Sequence, residues 1–218
     1  MGPWTRELEG ADAVIQLAGC PVNCRYNPRD RADILAARVD ATRVVGQALH
    51  PCRHPPRAWL QASTATLYAH RLDAPNDEAT GILGGDEPGA PDTWNFSIDV
   101  ARAWEAAAVE SAPAHVRLVL LRSAMTMSPD PGGVFDVLLG LARRGLGGTQ
   151  GDGRQYVSRI HQADLCRATD LLLANDWSGP VNLSEPNPLP NAAFMRALRG
   201  AASAIRVRSG RAPFGSDL

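Results

Sequence analysis

Asp12-Ala13-Val14-Ile15-Gln16-Leu17-Ala18-Gly19 is a short apolar run that closes on a small residue and a glycine. Such a run reads as a buried strand whose C-terminal end is presented to a ligand. Two runs of the same kind follow, Ala58-Trp59-Leu60-Gln61-Ala62 and Arg117-Leu118-Val119-Leu120-Leu121. Between the first two, residues 28–49 carry Ile34, Leu35, Val39, Val45 and Leu49 with charges interspersed, the pattern of an amphipathic helix. Between the second and third, residues 93–112 repeat Trp94, Ile98, Ala101, Trp104 and Ala108 near helical spacing, and Pro113 closes the segment. Helices are also expected over 134–144, after Gly132-Gly133, and over 162–174. Alternation of strand and helix predicts an α/β fold built on a parallel sheet with flanking helices.

Composition narrows the function classes. With a net charge of −1, nothing marks the chain for nucleic acid or an anionic membrane. No apolar run approaches the ~18 residues of a membrane span, and the N-terminus lacks a signal-peptide core, so a cytoplasmic location is expected. Cys20 and Cys24 have no second tight pair beyond Cys52 and His54, which sit among prolines. The four cysteines therefore read as reduced thiols, with no metal site. All 22 basic side chains are arginine, and the sequence contains no lysine.

Three segments offer chemistry. Gln61-Ala62-Ser63-Thr64-Ala65-Thr66-Leu67-Tyr68 sets a hydroxyl cluster at the end of a buried strand, where open α/β sheets bind ligands. The same hydroxyls also suit a plain turn cap. Residues 73–93 form a long aperiodic loop rich in Asn, Asp, Gly and Pro, and loops of that length are often functional. Further on, Gly151-Asp152-Gly153-Arg154-Gln155 and Ser158-Arg159-Ile160-His161-Gln162-Ala163-Asp164 precede a short strand, a proline-stiffened loop and a helix capped at Asn191.

Together these segments resemble the YfcH-like, epimerase-family branch of the extended short-chain dehydrogenase/reductases. The resemblance runs from about Asp12 to Arg199. It implies a partial Rossmann-like sheet over residues 1–150, the rest of an NAD(P)-binding domain, and a small substrate-side lobe over 151–218. Within it, the strand ending at Gly19 is the fourth of the family fold. About 50 residues with the Gly-x-Gly-x-x-Gly turn would then precede it, somewhat more than one βαβ unit of ~30 residues. The tail after Arg199 likewise looks shortened.

The resemblance also implies roles. Thr64 takes the place of the catalytic Ser/Thr, beside Ser63, and Tyr68 ends the Ser-Ser-x-x-x-Tyr-like segment. Leu17, Ala18 and Gly19 lie along the adenosine side of NADP or NAD, with NADP favoured. Arg38 faces the nucleotide, although an arginine on a helix is equally at home in solvent. Thr126 follows the third strand at a backbone-contact position. Arg154 suits a phosphate or carboxylate by its planar guanidinium, and His161 is either a substrate contact or structural. The family's Tyr-x-x-x-Lys pair falls at Ser97 and Ala101, which cannot supply its proton transfer. The expected function is an NAD(P)-dependent epimerase/dehydratase-like protein acting on a nucleotide sugar or similar small polar substrate. Alternatives are a non-catalytic nucleotide-binding or interaction protein on this scaffold, or an inactive truncated product. Strands buried on both faces, without the first βαβ unit, would leave an unpaired edge open to homodimer formation.

Overall fold

The computed structural model describes residues 2–209, with side chains described through residue 203; the last residues of the tail after Arg199 lie outside the described residues. In chain order the elements are β1 (Ala13–Gln16), α1 (Pro28–Leu49), β2 (Ala58–Thr64), α2 (Asp92–Ser111), β3 (Arg117–Ser123), β4 (Met125–Met127), α3 (Val134–Arg143), β5 (Tyr156–Val157), β6 (Arg159–His161), α4 (Gln162–Ala174), β7 (Gly179–Leu183), β8 (Leu189–Pro190) and α5 (Asn191–Ser209). They form two compact units, Met1–Ala124 with Ala163–Leu183, and Met125–Gln162 with Ser184–Leu218. The first unit thus takes in α4 and β7 from beyond residue 150, because β7 pairs with β3.

The first unit is an α/β layer structure around a four-stranded sheet in the order β1-β2-β3-β7, every pair parallel. Side chains alternate across a strand, and Trp59 and Leu120 point to the face that meets α1 and α2. There they pack with Leu8, Ala48, Leu49, Ala108 and Val116, with Val14 and Leu118 partly buried at the margin. Helix α1 starts where Asn27 accepts a hydrogen bond from the Asp30 amide at 2.9 Å and Pro28 fills the first turn, a capped start that the chain's own residues encode. Helices α1 and α2 approach closely at Gly46, where a Cβ would lie 2.5 Å from Ser111 Oγ.

The strands are not equally covered. Ala58, Trp59 and Leu60 of β2 and Val119 of β3 are fully buried, as the sequence predicts. Strand β1 departs from that expectation: Ile15 is 46% exposed, and Leu17, just past the strand's end, is 70% exposed. It stands at the end of the strand order and pairs only with β2 among the described residues, so one flank lacks the neighbour that would cover it.

The second unit holds two short strand pairs, β4 with β6 (parallel) and β5 with β8 (antiparallel). Helices α3 and α5 meet through Leu139, Phe194, Met195 and Leu198. Its glycine loop is tight for a steric reason. Gly153 has φ +75°, and a Cβ there would lie 2.4 Å from Thr149 and 2.9 Å from Ala192.

Candidate functional site

The C-terminal ends of the parallel strands β1, β2, β3 and β7 form the row from which open α/β sheets bind ligands. Its two sides are built differently. On the β1 side, Gln16 Oε1 accepts from the Ala18 amide at 3.1 Å and from Gln61 Nε2 at 3.3 Å, which fixes the chain as it leaves the strand. Arg38 of α1 reaches over this exit. Its guanidinium donates to the carbonyls of Ile34 at 3.1 Å and Cys20 at 3.2 Å, and lies 5.2 Å from the centre of the Trp104 ring. Trp104 is anchored in turn by its indole N–H to Thr42 Oγ1 at 3.0 Å. Arg38 is half-buried and makes no ion pair among the described residues. A Cβ at Gly19 would lie in ordinary contact, 3.5 Å from that guanidinium. Nothing in the protein's own packing demands a glycine there, and the cation beside it has no ion-pair partner among the described residues.

On the β2–β3–β7 side the polar groups bond chiefly to one another. Arg122, at the end of β3, donates through Nε and Nη2 to the two carboxylate oxygens of Glu105 at 2.9 and 2.8 Å. Both side chains are about nine-tenths buried. This bidentate pairing suits the planar guanidinium. Glu105 Oε1 also accepts from Ser63 Oγ at 2.5 Å. Arg122 Nη1 donates to the Tyr68 hydroxyl at 2.9 Å, and that hydroxyl donates to Asn182 Oδ1 at 2.9 Å. The carboxylate of Glu105, with help from the Tyr68 hydroxyl and against the effect of burial, holds Arg122 above its already high ordinary value. A raised arginine stays charged at every pH the fold meets.

Thr64 ends β2 with a half-buried hydroxyl that accepts from the Thr66 amide at 3.2 Å and donates to Thr66 Oγ1 at 3.0 Å. It caps the 3-10 turn of Ala65–Leu67 and stands at the ligand end at once. Of the two residues at the Tyr-x-x-x-Lys positions, Ser97 donates to the Thr93 carbonyl within its own helix and Ala101 is buried.

Thr126, Arg154 and His161 belong to the second unit. Thr126 sits in β4 opposite Ile160. Arg154 projects from a stapled loop: its amide donates to Asp152 Oδ1 at 3.0 Å, and the loop is pinned to the start of α5 by the Gln150 amide on Asn191 Oδ1 at 2.8 Å. The Arg154 side chain and His161 are exposed. Asn191, expected as a helix cap, is buried and serves the glycine loop. Among the described residues no cluster of three His, Cys, Asp or Glu is arranged to hold a metal ion.

The model of the NAD dependent epimerase/dehydratase family matches residues 4–183. The chain belongs to that family. Within it, the epimerase family protein SDR39U1 of Mus musculus is 34% identical over 87% of this chain and 63% of its own length. Epimerase family protein YfhF of Bacillus subtilis is 28% identical over 88% of this chain and 60% of its own. The crystal structure of human SDR39U1 isoform 2 with NADPH superposes with a TM-score of 0.78 at 31% identity, covering 90% of this chain and 64% of that one. A nucleoside-diphosphate sugar epimerase of Corynebacterium glutamicum gives 0.69 at 25% identity, over 99% of this chain and 46% of that one. The chain thus spans about three-fifths of the length of the curated relatives named here. These relatives place it in an atypical short-chain dehydrogenase/reductase branch of the epimerase/dehydratase family.

Sequence reasoning passed over Glu105, Arg122 and Asn182 as site-forming residues. A signal was present. Glu105 interrupts the apolar face of α2, and Arg122 ends an otherwise apolar strand, so two buried charges of opposite sign required each other.

Proposed function

We propose that the chain is an NAD(P)-linked, epimerase/dehydratase-type scaffold that takes a nicotinamide dinucleotide along the β1 side and a nucleotide sugar, or similar small polar substrate, beyond it. NADP is favoured over NAD. The observation that carries the reading is Arg38, a half-buried guanidinium held by two carbonyls and Trp104, free of acidic partners and beside a glycine that packing does not require. Such a cation suits a phosphate. Leu17, Ala18, Gly19 and Arg38 would hold the adenosine side, and Ser63 and Thr126 are the other cofactor candidates. The fit is partial: the 218 residues contain no Gly-x-Gly-x-x-Gly turn to cradle the pyrophosphate. A bound nicotinamide would supply hydride acceptance and return; this chain offers the Thr64 hydroxyl to hold the substrate oxygen. Arg154 and His161 are the proposed substrate contacts.

A second reading, a nucleotide-binding protein without turnover, is favoured by Ser97 and Ala101 standing where a tyrosine and lysine would move the proton. The exposed flank of β1, with Ile15 and Leu17, is the proposed self-association surface; an association state that stays monomeric at rising protein concentration would remove it.

Fluorescence titration with NADPH and with NADH tests the main reading. Weak binding, stronger for NADPH, is expected, with Arg38→Ala lowering NADPH affinity about tenfold or more, the loss of one charged hydrogen-bonding contact. Low-micromolar binding by this chain would contradict the missing pyrophosphate cradle. Equal binding by the wild type and Arg38→Ala would remove Arg38 from the site.

A further inference from the structure

Residues 69–84 leave the Tyr68 end of β2 and return as a closed loop. Tyr68 and Leu83 form an antiparallel bridge, the Ala69 amide donates to the Ile82 carbonyl at 2.8 Å, and the Gly84 amide to the Leu67 carbonyl at 2.9 Å. Asn76 braces the interior, donating to the Ala69 carbonyl at 3.0 Å and accepting from the Ile82 amide at 3.1 Å. Gly81 lies against the Tyr68 ring, where a Cβ would come within 2.7 Å of Cε1. The far side of the loop is fastened to β7. The Asn182 amide donates to Glu78 Oε1 at 2.6 Å, and Asn182 Nδ2 donates to the Asn76 carbonyl at 3.2 Å.

Asn182 therefore stands where two systems meet. Its Oδ1 accepts from Tyr68, which is held by Arg122 and, through Arg122, by Glu105; its amide nitrogens hold the loop. An unbroken chain of hydrogen bonds runs from α2 through β3, the end of β2 and β7 to the loop. Tyr68 spends its hydroxyl as both donor and acceptor within this chain, and it is 7% exposed.

We propose that Tyr68 and Asn182 are positioning residues, which clamp the 69–84 loop at the ends of β2, β3 and β7 as a fixed wall for the nucleotide-sugar half of the site. This rests on the proposed function for the identity of that ligand. The loop lies on the side of the strand row away from Arg38, so its position governs the sugar nucleotide and leaves the dinucleotide untouched. Tyr68 acts through Asn182, by geometry, and proton transfer is not its task.

Hydrogen exchange on the 218-residue protein tests the clamp without any ligand. In Asn182→Ala, the Ile82 and Gly84 amides should lose about ten- to a hundredfold in protection, as expected when one or two buried hydrogen bonds are lost locally, while β2 and β3 amides keep theirs. Tyr68→Phe should act in the same direction, and the double variant should be no worse than Asn182→Ala, since both cut one chain. Gly81→Ala, which pushes the loop off the Tyr68 ring without touching Asn182, should open the same amides. Unchanged loop protection in Asn182→Ala and Tyr68→Phe, or equal loss throughout the sheet, would overturn the clamp. For the ligand, UDP-glucose binding followed by saturation-transfer NMR should weaken about tenfold in Asn182→Ala, with NADPH binding unchanged. Equal UDP-glucose binding by the wild type and Asn182→Ala would also overturn the proposal. No UDP-glucose binding to the wild type, with the loop exchange as expected, would instead count against the sugar-nucleotide reading and leave the clamp standing.

Discussion

Two halves of one strand row contrast sharply in this protein. Around β2, β3 and β7, Ser63, Glu105, Arg122, Tyr68 and Asn182 satisfy one another in a buried chain. Around β1, Leu17 is exposed, and Arg38, beside Gly19, is held by carbonyls and an aromatic ring with no ion pair among the described residues. A group whose hydrogen-bonding capacity is used up inside the fold contributes to stability and placement. A cation held in place but not neutralised is available to a ligand. The difference assigns stability and placement to one side and dinucleotide recognition to the other, and each assignment can be broken separately.

The largest effect is expected at Glu105. Glu105→Ala leaves Arg122 buried without its counter-charge, and loss of one partner of a buried pair typically costs about 3–5 kcal/mol. Urea unfolding monitored by Trp fluorescence should show that loss; a change below about 1 kcal/mol would mean that the pair behaves as an exposed one. Next comes Tyr68→Phe, which leaves Arg122 Nη1 and Asn182 Oδ1 each short of a partner and should cost about 1–3 kcal/mol in the same assay. At Arg38 the order of effects reverses. Arg38→Ala should cost about 1 kcal/mol or less of stability, the scale of a partly exposed cation–π contact, while weakening NADPH binding. A large stability loss at Arg38 with unchanged binding would collapse the distinction between the two halves.

The smallest effect concerns acid. Hydrogen bonds from the Arg71 side chain hold Asp73 down to about 2, below its ordinary 3.8. The Thr80 amide and hydroxyl lower Asp77, and the Gly85 amide lowers Glu87. Carboxyls depressed by folding stabilise above their unfolded values and lose that contribution as pH falls through the folded ones. The 69–84 loop should therefore be unaffected from neutrality down to about pH 4.5, and loosen from there toward pH 2. The lowered carboxyls lie in or against this loop, so its amides should lose protection before those of β3. Simultaneous loss in both would tie the loop to global unfolding.

Much of the fold was legible in the sequence because burial leaves a plain pattern. The apolar runs at Ala58 and Arg117 became β2 and β3, and Pro28 to Leu49 became α1 with the expected ends. Strand β1 misled, since Ile15 and Leu17 look like core in a one-dimensional reading. Whether an apolar side chain is covered depends on the neighbouring strand, which periodicity does not report. The candidate site was legible at its hydroxyls, Ser63 and Thr64, and at Arg38. It was illegible at Glu105, Arg122 and Asn182, which lie 17 and 60 residues apart in sequence: Glu105 reaches Arg122 from α2, and Asn182 stands beside Arg122 in the parallel register of β3 and β7. The long aperiodic loop carried a further message in its Asn, Asp and Gly content: Asn76, Asp77 and Gly81 build its internal bracing.

The central claim, that dinucleotide recognition lies on the β1 side and stability and placement on the other, is tested most directly by amide chemical shifts. The 15N-labelled 218-residue protein would be titrated with NADPH to millimolar concentration, which suits the weak binding expected. Shifts should concentrate at Leu17, Ala18, Gly19 and the α1 residues around Arg38, with the amides of Tyr68, Arg122 and Asn182 still. Shifts centred on Tyr68, Arg122 and Asn182, with the β1 exit unmoved, would contradict it.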